Sequence, residues 1–164
     1  MKEQEVLDLF RRSGALLEGH FELRSGLHSP HYFQCALVLR DPAVAERMGR
    51  ALAEQIRQQL GAEPAEEVIA PALGGLIIGH ELARALNCPF IFAEKENQIL
   101  TLRRGFRVEP GRRYLVAEDV VTRGGRVQET VAIVRKGGGR VVAAAVLVDR
   151  SAGQAALDVP LFRL

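Results

Sequence analysis

In the stretch YLVAEDVVTRGGRVQET, residues Tyr114 to Thr130, two adjacent acids close an apolar run and a Thr-Arg-Gly-Gly-Arg turn follows at once. Carboxylates such as Glu118 and Asp119 accept hydrogen bonds from neighbouring hydroxyls, and a ribose offers two. The residues after them suit an anion. Gly124 and Gly125 let the backbone come close, and free N–H groups at a helix start carry partial positive charge. Thr122, Arg123 and Arg126 add side-chain donors. Two carboxylates beside a phosphate cradle would repel the phosphate unless a sugar or a Mg²⁺ ion stood between them. The stretch therefore reads as a holder for ribose 5-phosphate, against the plainer reading of an acidic strand end followed by a surface turn.

A second turn has the same physics. In APALGGLIIG, Gly74 and Gly75 follow a buried strand and open a helix, so backbone donors again face an anion. Arg150, in VDRSAG, stands just past another buried strand, where it can meet a carboxylate or simply be solvated. Tyr32 and Phe33 can stack on a planar ring or pack in the core. His28 and His31 do not share a clean helix face, and His20 and His80 read as surface or packing residues. Cys35 and Cys88 lie in apolar stretches and read as small buried residues of a reducing compartment.

The elements that must position these groups follow from periodicity. Lys2 to Arg12 reads as a short amphipathic helix. FELRSG and HYFQCALVL read as strands, and Asp41-Pro42 caps a helix running from Ala43 to Leu60. EEVIAPA, CPFIFAE, RYLVAED and RVVAAAVLVDR read as buried strands, with helices over GGLIIGHELARAL and Gly125 to Lys136. Asn97 to Arg112 is polar and basic without clear periodicity, an excursion or loose hairpin. DVPLFRL reads as an edge strand. Alternation of helices with continuously apolar strands predicts an α/β fold on a mostly parallel sheet. The 164 residues suit one domain, and 48% apolar with 26% charged residues is an ordinary globular balance. A net charge of +2 gives no case for nucleic acid. No apolar run approaches the roughly 20 residues of a membrane span. The charged start, MKEQEVLDLFRRSG, does not resemble a signal peptide, so the cytoplasm is the expected home.

YLVAEDVVTRGG resembles the phosphoribosyl-pyrophosphate (PRPP) motif of type I phosphoribosyltransferases, and FELRSGLHSPHYF resembles the amino-terminal signature of the orotate phosphoribosyltransferases among them. The resemblance spans about Phe21 to Gly153. It implies a central, mostly parallel sheet flanked by helices, a small amino-terminal hood at about residues 1–40 and a mobile loop at about 96–112. Glu118 and Asp119 would hold ribose, and Val120, Val121 and Thr122 to Arg126 the 5-phosphate. Ala72, Leu73, Gly74 and Gly75 would form the pyrophosphate loop, with a cis peptide at Ala72-Leu73. Arg24, Tyr32, Phe33, Thr122 and Arg150 would face orotate. Members more often carry small hydroxyl residues where Arg123 and Arg126 stand.

The chain departs from the family in the loop. EKENQIL, Glu94 to Leu100, keeps Lys95 and Glu96 of the pattern Arg-Lys-Glu-x-Lys-x-His, while Gln98 and Leu100 replace its second lysine and its histidine. In TLRRGF, Arg103 and Arg104 can supply the missing cations. The resemblance thus implies transfer of phosphoribosyl from PRPP to orotate. Lys95, Arg103, Arg104 and Asp119 would be catalytic, and Mg²⁺ would be held mainly through PRPP, with Asp119 the protein group able to touch it. It also implies a homodimer whose loop reaches the neighbouring site. A purine-type phosphoribosyltransferase and a non-catalytic PRPP-binding regulator are the alternatives.

Overall fold

The computed structural model describes residues 1–22, 28–151 and 153–164. Helix α1 (Glu3–Arg12) buries Val6 and Phe10 and leads into an antiparallel pair, β1 (Leu16–Glu22) and β2 (His28–Phe33). Asp41 caps α3 (Pro42–Leu60) by accepting from the N–H groups of Ala43 and Val44, with proline at the first helical position. The expectation for HYFQCALVL is corrected at its second half. Cys35–Leu39 is a short helix, α2, with Cys35, Val38 and Leu39 buried. Their spacing of three and four is the helical one, and an apolar run this short cannot declare its period by itself.

The remaining strands build one six-stranded sheet. Its members are β3 (Glu67–Pro71), β4 (Phe90–Glu96), β5 (Ile99–Leu102), β6 (Arg113–Val121), β7 (Arg140–Asp149) and β8 (Leu161–Arg163), in the order β5-β4-β3-β6-β7-β8. All neighbours are parallel except β4 and β5. Helix α4 (Gly75–Leu86) follows β3 and α5 (Gly125–Lys136) follows β6. Alternate strand residues feed two cores. Val68, Ala70, Leu115 and Ala117 join Ile78 and Leu82 of α4, while Ile69, Val116, Ala144 and Val146 join Val127, Val131 and Val134 of α5. The strands are apolar throughout because both faces are covered.

Strand order reverses between β3 and β6. Loops leaving their carboxyl ends part to opposite sides there and open a crevice. Register keeps the ends level, with Pro71 opposite Ala93, Glu118 opposite Val146 and Val121 opposite Asp149. The segment expected as an excursion or loose hairpin opens with a hairpin and then packs back on the domain. Asn97 and Gln98, both with positive φ, form a two-residue turn between β4 and β5. Phe106 and Val108 pack on the α5-side core, and the Glu109 N–H donates to the Tyr114 hydroxyl at 2.8 Å. Arg112 and Arg113, at the opposite end of the sheet, bond Glu67 and Glu66.

The middle of α4 packs tightly on α3. A Cβ built on Gly49 would lie 2.8 Å from the Glu81 backbone carbon. Gly49→Ala should gain roughly 0.5–1 kcal/mol of helix propensity. Overpacking against a backbone costs more, about 1–3 kcal/mol. Urea unfolding should therefore show a net loss of about 1 kcal/mol or more. A gain in stability would show that the two helices can slide apart freely.

Candidate active site

The two glycine turns meet at the crevice. A Cβ on Gly74 would sit 2.7 Å from Asp119 Oδ1, and one on Gly75 would sit 2.9 Å from the Ala117 carbonyl oxygen and 3.3 Å from Glu118 Oε1. Glycine is required at both positions because the turn after β3 is pressed against the acids ending β6. The Ala72 N–H donates to the Ala93 carbonyl at 2.7 Å, tying the same turn to β4, and the Ala72-Leu73 peptide is cis. Gly124 has φ +85°, a left-handed conformation that lets the chain turn from β6 directly into α5. Thr122, Arg123 and Gly125 are exposed along this turn, while Val121 and Gly124 are buried.

The acids differ in their surroundings. Glu118 is only 6% exposed and accepts the Asp119 N–H at 3.0 Å. Asp119 is half-buried and accepts the Val120 N–H at 2.8 Å. Burial, then the neighbouring Asp119 charge, pushes the Glu118 carboxyl up to about 8. Two carboxylates this close hold a proton rather than two negative charges. Cys35 points its thiol at the Asp119 carbonyl, 3.9 Å away, and burial beside these acids holds it in the neutral form. Arg126 lies near enough to oppose the rise at Glu118. Its buried Nη1 has no hydrogen-bond partner among the described residues, with Glu129 Oε2 at 3.6 Å.

Other residues singled out in the sequence reach the same edge in different ways. The Arg150 N–H donates to the Val121 carbonyl, and its guanidinium donates to Ser29 Oγ at 3.0 Å and to the His31 carbonyl at 3.2 Å. It thereby joins the sheet to the β1–β2 hairpin. Tyr32 and Phe33 face opposite ways. Tyr32 is exposed beside Phe21, whereas Phe33 meets Phe10 edge-on at 5.6 Å and lies beneath the Arg150 guanidinium. Arg24 lies outside the described residues. His28 pairs with His20, ring nitrogens 2.7 Å apart, rather than with His31. Lys95 is exposed on β4, and Arg103 and Arg104 fold back over the β4–β5 hairpin. Glu94 and Glu96, which receive those arginines, were not singled out for that role by the sequence, since nothing in EKENQIL shows which way a later turn will bend.

Known proteins resemble this chain in sequence and in fold. The phosphoribosyl transferase domain matches residues 38–163. The orotate phosphoribosyltransferase of Erythrobacter litoralis is 52% identical over 164 residues, covering 100% of this chain and 84% of that protein. The crystal structure of orotate phosphoribosyltransferase from Aeropyrum pernix superposes with a TM-score of 0.80 at 28% identity, over 96% of this chain and 91% of that one. Adenine phosphoribosyltransferase from Saccharomyces cerevisiae, at 13% identity and TM-score 0.73 over 96% of this chain and 98% of that one, shares the fold.

The protonation of Glu118 has a measurable consequence. A free glutamate titrates near 4.3, so between about pH 4 and pH 8 the folded chain keeps a proton that the unfolded chain releases. The stabilisation is complete below the unfolded value and is lost as pH rises through the folded one. The ligand-free protein should therefore lose thermal stability from about pH 5 to pH 8.5, and Glu118→Gln, always neutral, should flatten that decline. Parallel melting curves for the two proteins across this range would remove Glu118 as the titrating group.

Proposed function

This chain belongs to the phosphoribosyltransferase family, and we propose that its crevice transfers phosphoribosyl from PRPP to orotate, giving orotidine 5′-monophosphate and pyrophosphate. The observation that carries the assignment of residues is the contact of Gly74 with the Asp119 carboxylate. It makes the pyrophosphate turn and the ribose acids one continuous wall, short enough for a single sugar bearing phosphate at one end and pyrophosphate at the other.

The division of labour follows from the chemistry. Glu118 and Asp119 accept from the ribose hydroxyls, and the turn Thr122 to Arg126 receives the 5-phosphate at the start of α5. Arg126 Nη1, buried and without a hydrogen-bond partner among the described residues, supports this, since a buried guanidinium nitrogen needs an acceptor. Ala72 to Gly75 present backbone to pyrophosphate. As the bond from the ribose carbon to pyrophosphate breaks, positive charge grows on the sugar and negative charge on the leaving group. Asp119 stabilises the first, while Lys95 with Arg103 or Arg104 stabilises the second. Arg24, Tyr32 and Arg150 are assigned to orotate, with Arg150 able to exchange its bonds to Ser29 and the His31 carbonyl for a substrate carboxylate. Phe33 supports Arg150 from below.

Magnesium fits this donor set. The described residues contain no group of three or more His, Cys, Asp or Glu able to cage a metal, whereas Asp119 and the oxygens of PRPP are hard donors. When bound, Mg²⁺ neutralises pyrophosphate charge. A homodimer is proposed as well. Leu73, 82% exposed, Ile77 and Ile99 leave apolar surface beside the site and on edge strand β5. The two unpaired cysteines, one buried and one half-buried, support a cytoplasmic location. No described helix is long and apolar enough to cross a membrane.

Pyrophosphate release with PRPP, Mg²⁺ and each nucleobase tests the substrate. Orotate alone should support turnover, and preference for adenine, guanine or xanthine would overturn the choice of base. Within the orotate reaction, Asp119→Asn should lower kcat/KM for PRPP roughly 10- to 150-fold, the loss of a charge-assisted hydrogen bond worth about 1.5–3 kcal/mol. Normal kcat/KM would take the ribose role from Asp119. The loop is tested by alanine at Lys95, Arg103 and Arg104. Lys95→Ala should be impaired, and whichever arginine meets pyrophosphate should lose on the order of 10²–10³ in kcat. If both arginine variants keep normal kcat, Lys95 alone carries the charge.

A further inference from the structure

The β4–β5 hairpin holds an arrangement that substrate binding alone does not explain. Glu94 is largely shielded, its side chain 19% exposed, and both its oxygens are engaged by one arginine. Arg104 donates through Nε to Oε2 at 2.8 Å and through Nη2 to Oε1 at 3.3 Å. Its guanidinium lies 5.8 Å from the centroid of Phe92, which Phe106 meets edge-on at 5.1 Å. Arg103 Nη1 is 3.3 Å from Glu96 Oε1 and 3.8 Å from Glu94 Oε1. Arg104 and Gly105, at φ +58° and +81°, make the turn that brings both arginines back over the strand. A two-pronged bond, a stacked ring and a left-handed turn agree on one resting position. The intervening Lys95 points to the other face of the strand and meets no carboxylate among the described residues.

We propose that Glu94 is a positioning residue, a latch that holds the loop arginines while the site is empty and yields them to pyrophosphate when PRPP binds. The inference rests on the reading above that Arg103 or Arg104 serves the leaving group. A carboxylate and a phosphate offer a guanidinium the same pair of acceptor oxygens, and the phosphate carries more charge. The arginines therefore exchange one bidentate partner for another. When pyrophosphate leaves, Glu94 recaptures Arg104, which opposes retention of the product. Glu94 acts through Arg104 and need not touch substrate.

The latch makes pyrophosphate binding depend on a residue that repels it only indirectly. In Glu94→Gln, which keeps size and removes charge, calorimetric titration with inorganic pyrophosphate and Mg²⁺ should show roughly two- to tenfold tighter binding. Glu94→Gln combined with Arg104→Ala should bind no tighter than Arg104→Ala alone, because the effect passes through that arginine. Tightening that survives Arg104→Ala would mean plain removal of a negative charge and would overturn the latch. Unchanged or weaker binding in a folded Glu94→Gln protein would overturn it too. If Glu94→Gln does not fold, the unmodified protein still decides. The Arg104 Nε–H resonance should move on saturation with pyrophosphate, and a signal that stays put would show that Glu94 never lets go. Loss of activity in Arg104→Ala together with unchanged affinity in Glu94→Gln would reject the latch while leaving the catalytic arginine in place. Full activity in both Arg103→Ala and Arg104→Ala would reject the catalytic arginine and the latch with it.

Discussion

The approach of the Gly74 backbone to the Asp119 carboxylate is the constraint on which the site depends. Any side chain at residue 74 would begin 2.7 Å from a carboxylate oxygen, and any at residue 75 would strike the Ala117 carbonyl. The approach is possible because β3 and β6 are hydrogen-bonded neighbours whose register brings Pro71 level with Glu118, and because only Ala72, Leu73 and Gly74 separate β3 from α4. Parallel pairing brings both helix starts to one edge, and the reversal of strand order separates them enough to admit a ligand. Shifting the register of β3 against β6 by one residue would turn the core side chains to the wrong faces and move the glycine turn off the acids together.

Placing backbone donors and two carboxylates in one crevice creates an electrostatic problem before any ligand arrives. The donors favour negative charge there, yet two buried carboxylates repel each other and lose hydration. The chain resolves it by raising the Glu118 carboxyl, which keeps its proton well above the range of a free glutamate. The Asp119 N–H bonded to Glu118 and the Val120 N–H bonded to Asp119 fix both carboxyls without adding a cation. Arg126 is the cation close to the pair, with Glu129 Oε2 3.6 Å from its Nη1.

Much of this was legible in the sequence, and the remainder was hidden for identifiable reasons. Continuous apolar strands, the Asp41-Pro42 cap and the two glycine turns carry their structural meaning locally, so the sheet, α3 and both anion loops could be read from them. CALVL could not, because five apolar residues fit a buried strand or a buried helical turn equally well. Tyr32 and Phe33 look like one aromatic feature in the sequence, but strand geometry sends them to opposite sides. Arg150 could be placed at a strand end, yet its bonds to Ser29 and His31 join residues about 120 apart and leave no mark in VDRSAG. The loop is the sharpest case. Arg103 and Arg104 read as spare cations, and of the acids that receive them only Glu96 matches the family pattern, so nothing local marks Glu94.

The loop arginines and Arg126 show two ways of keeping positive charge ready for a polyanion. Arg126 stands on a fixed helix with Glu129 Oε2 3.6 Å from its Nη1, so α5 sets its place. Arg103 and Arg104 sit on a turn, largely exposed, where an unpaired cation would adopt many positions and lose entropy on binding. Pairing them with Glu94 and Glu96 restricts them beforehand and makes their arrival an exchange between like partners. The cost appears as weaker attraction for the incoming anion, because each carboxylate cancels part of the field the arginines project. A site that must also release pyrophosphate after each turnover gains from that weakening. The same pairs that lower affinity for the substrate's leaving group lower it for the product.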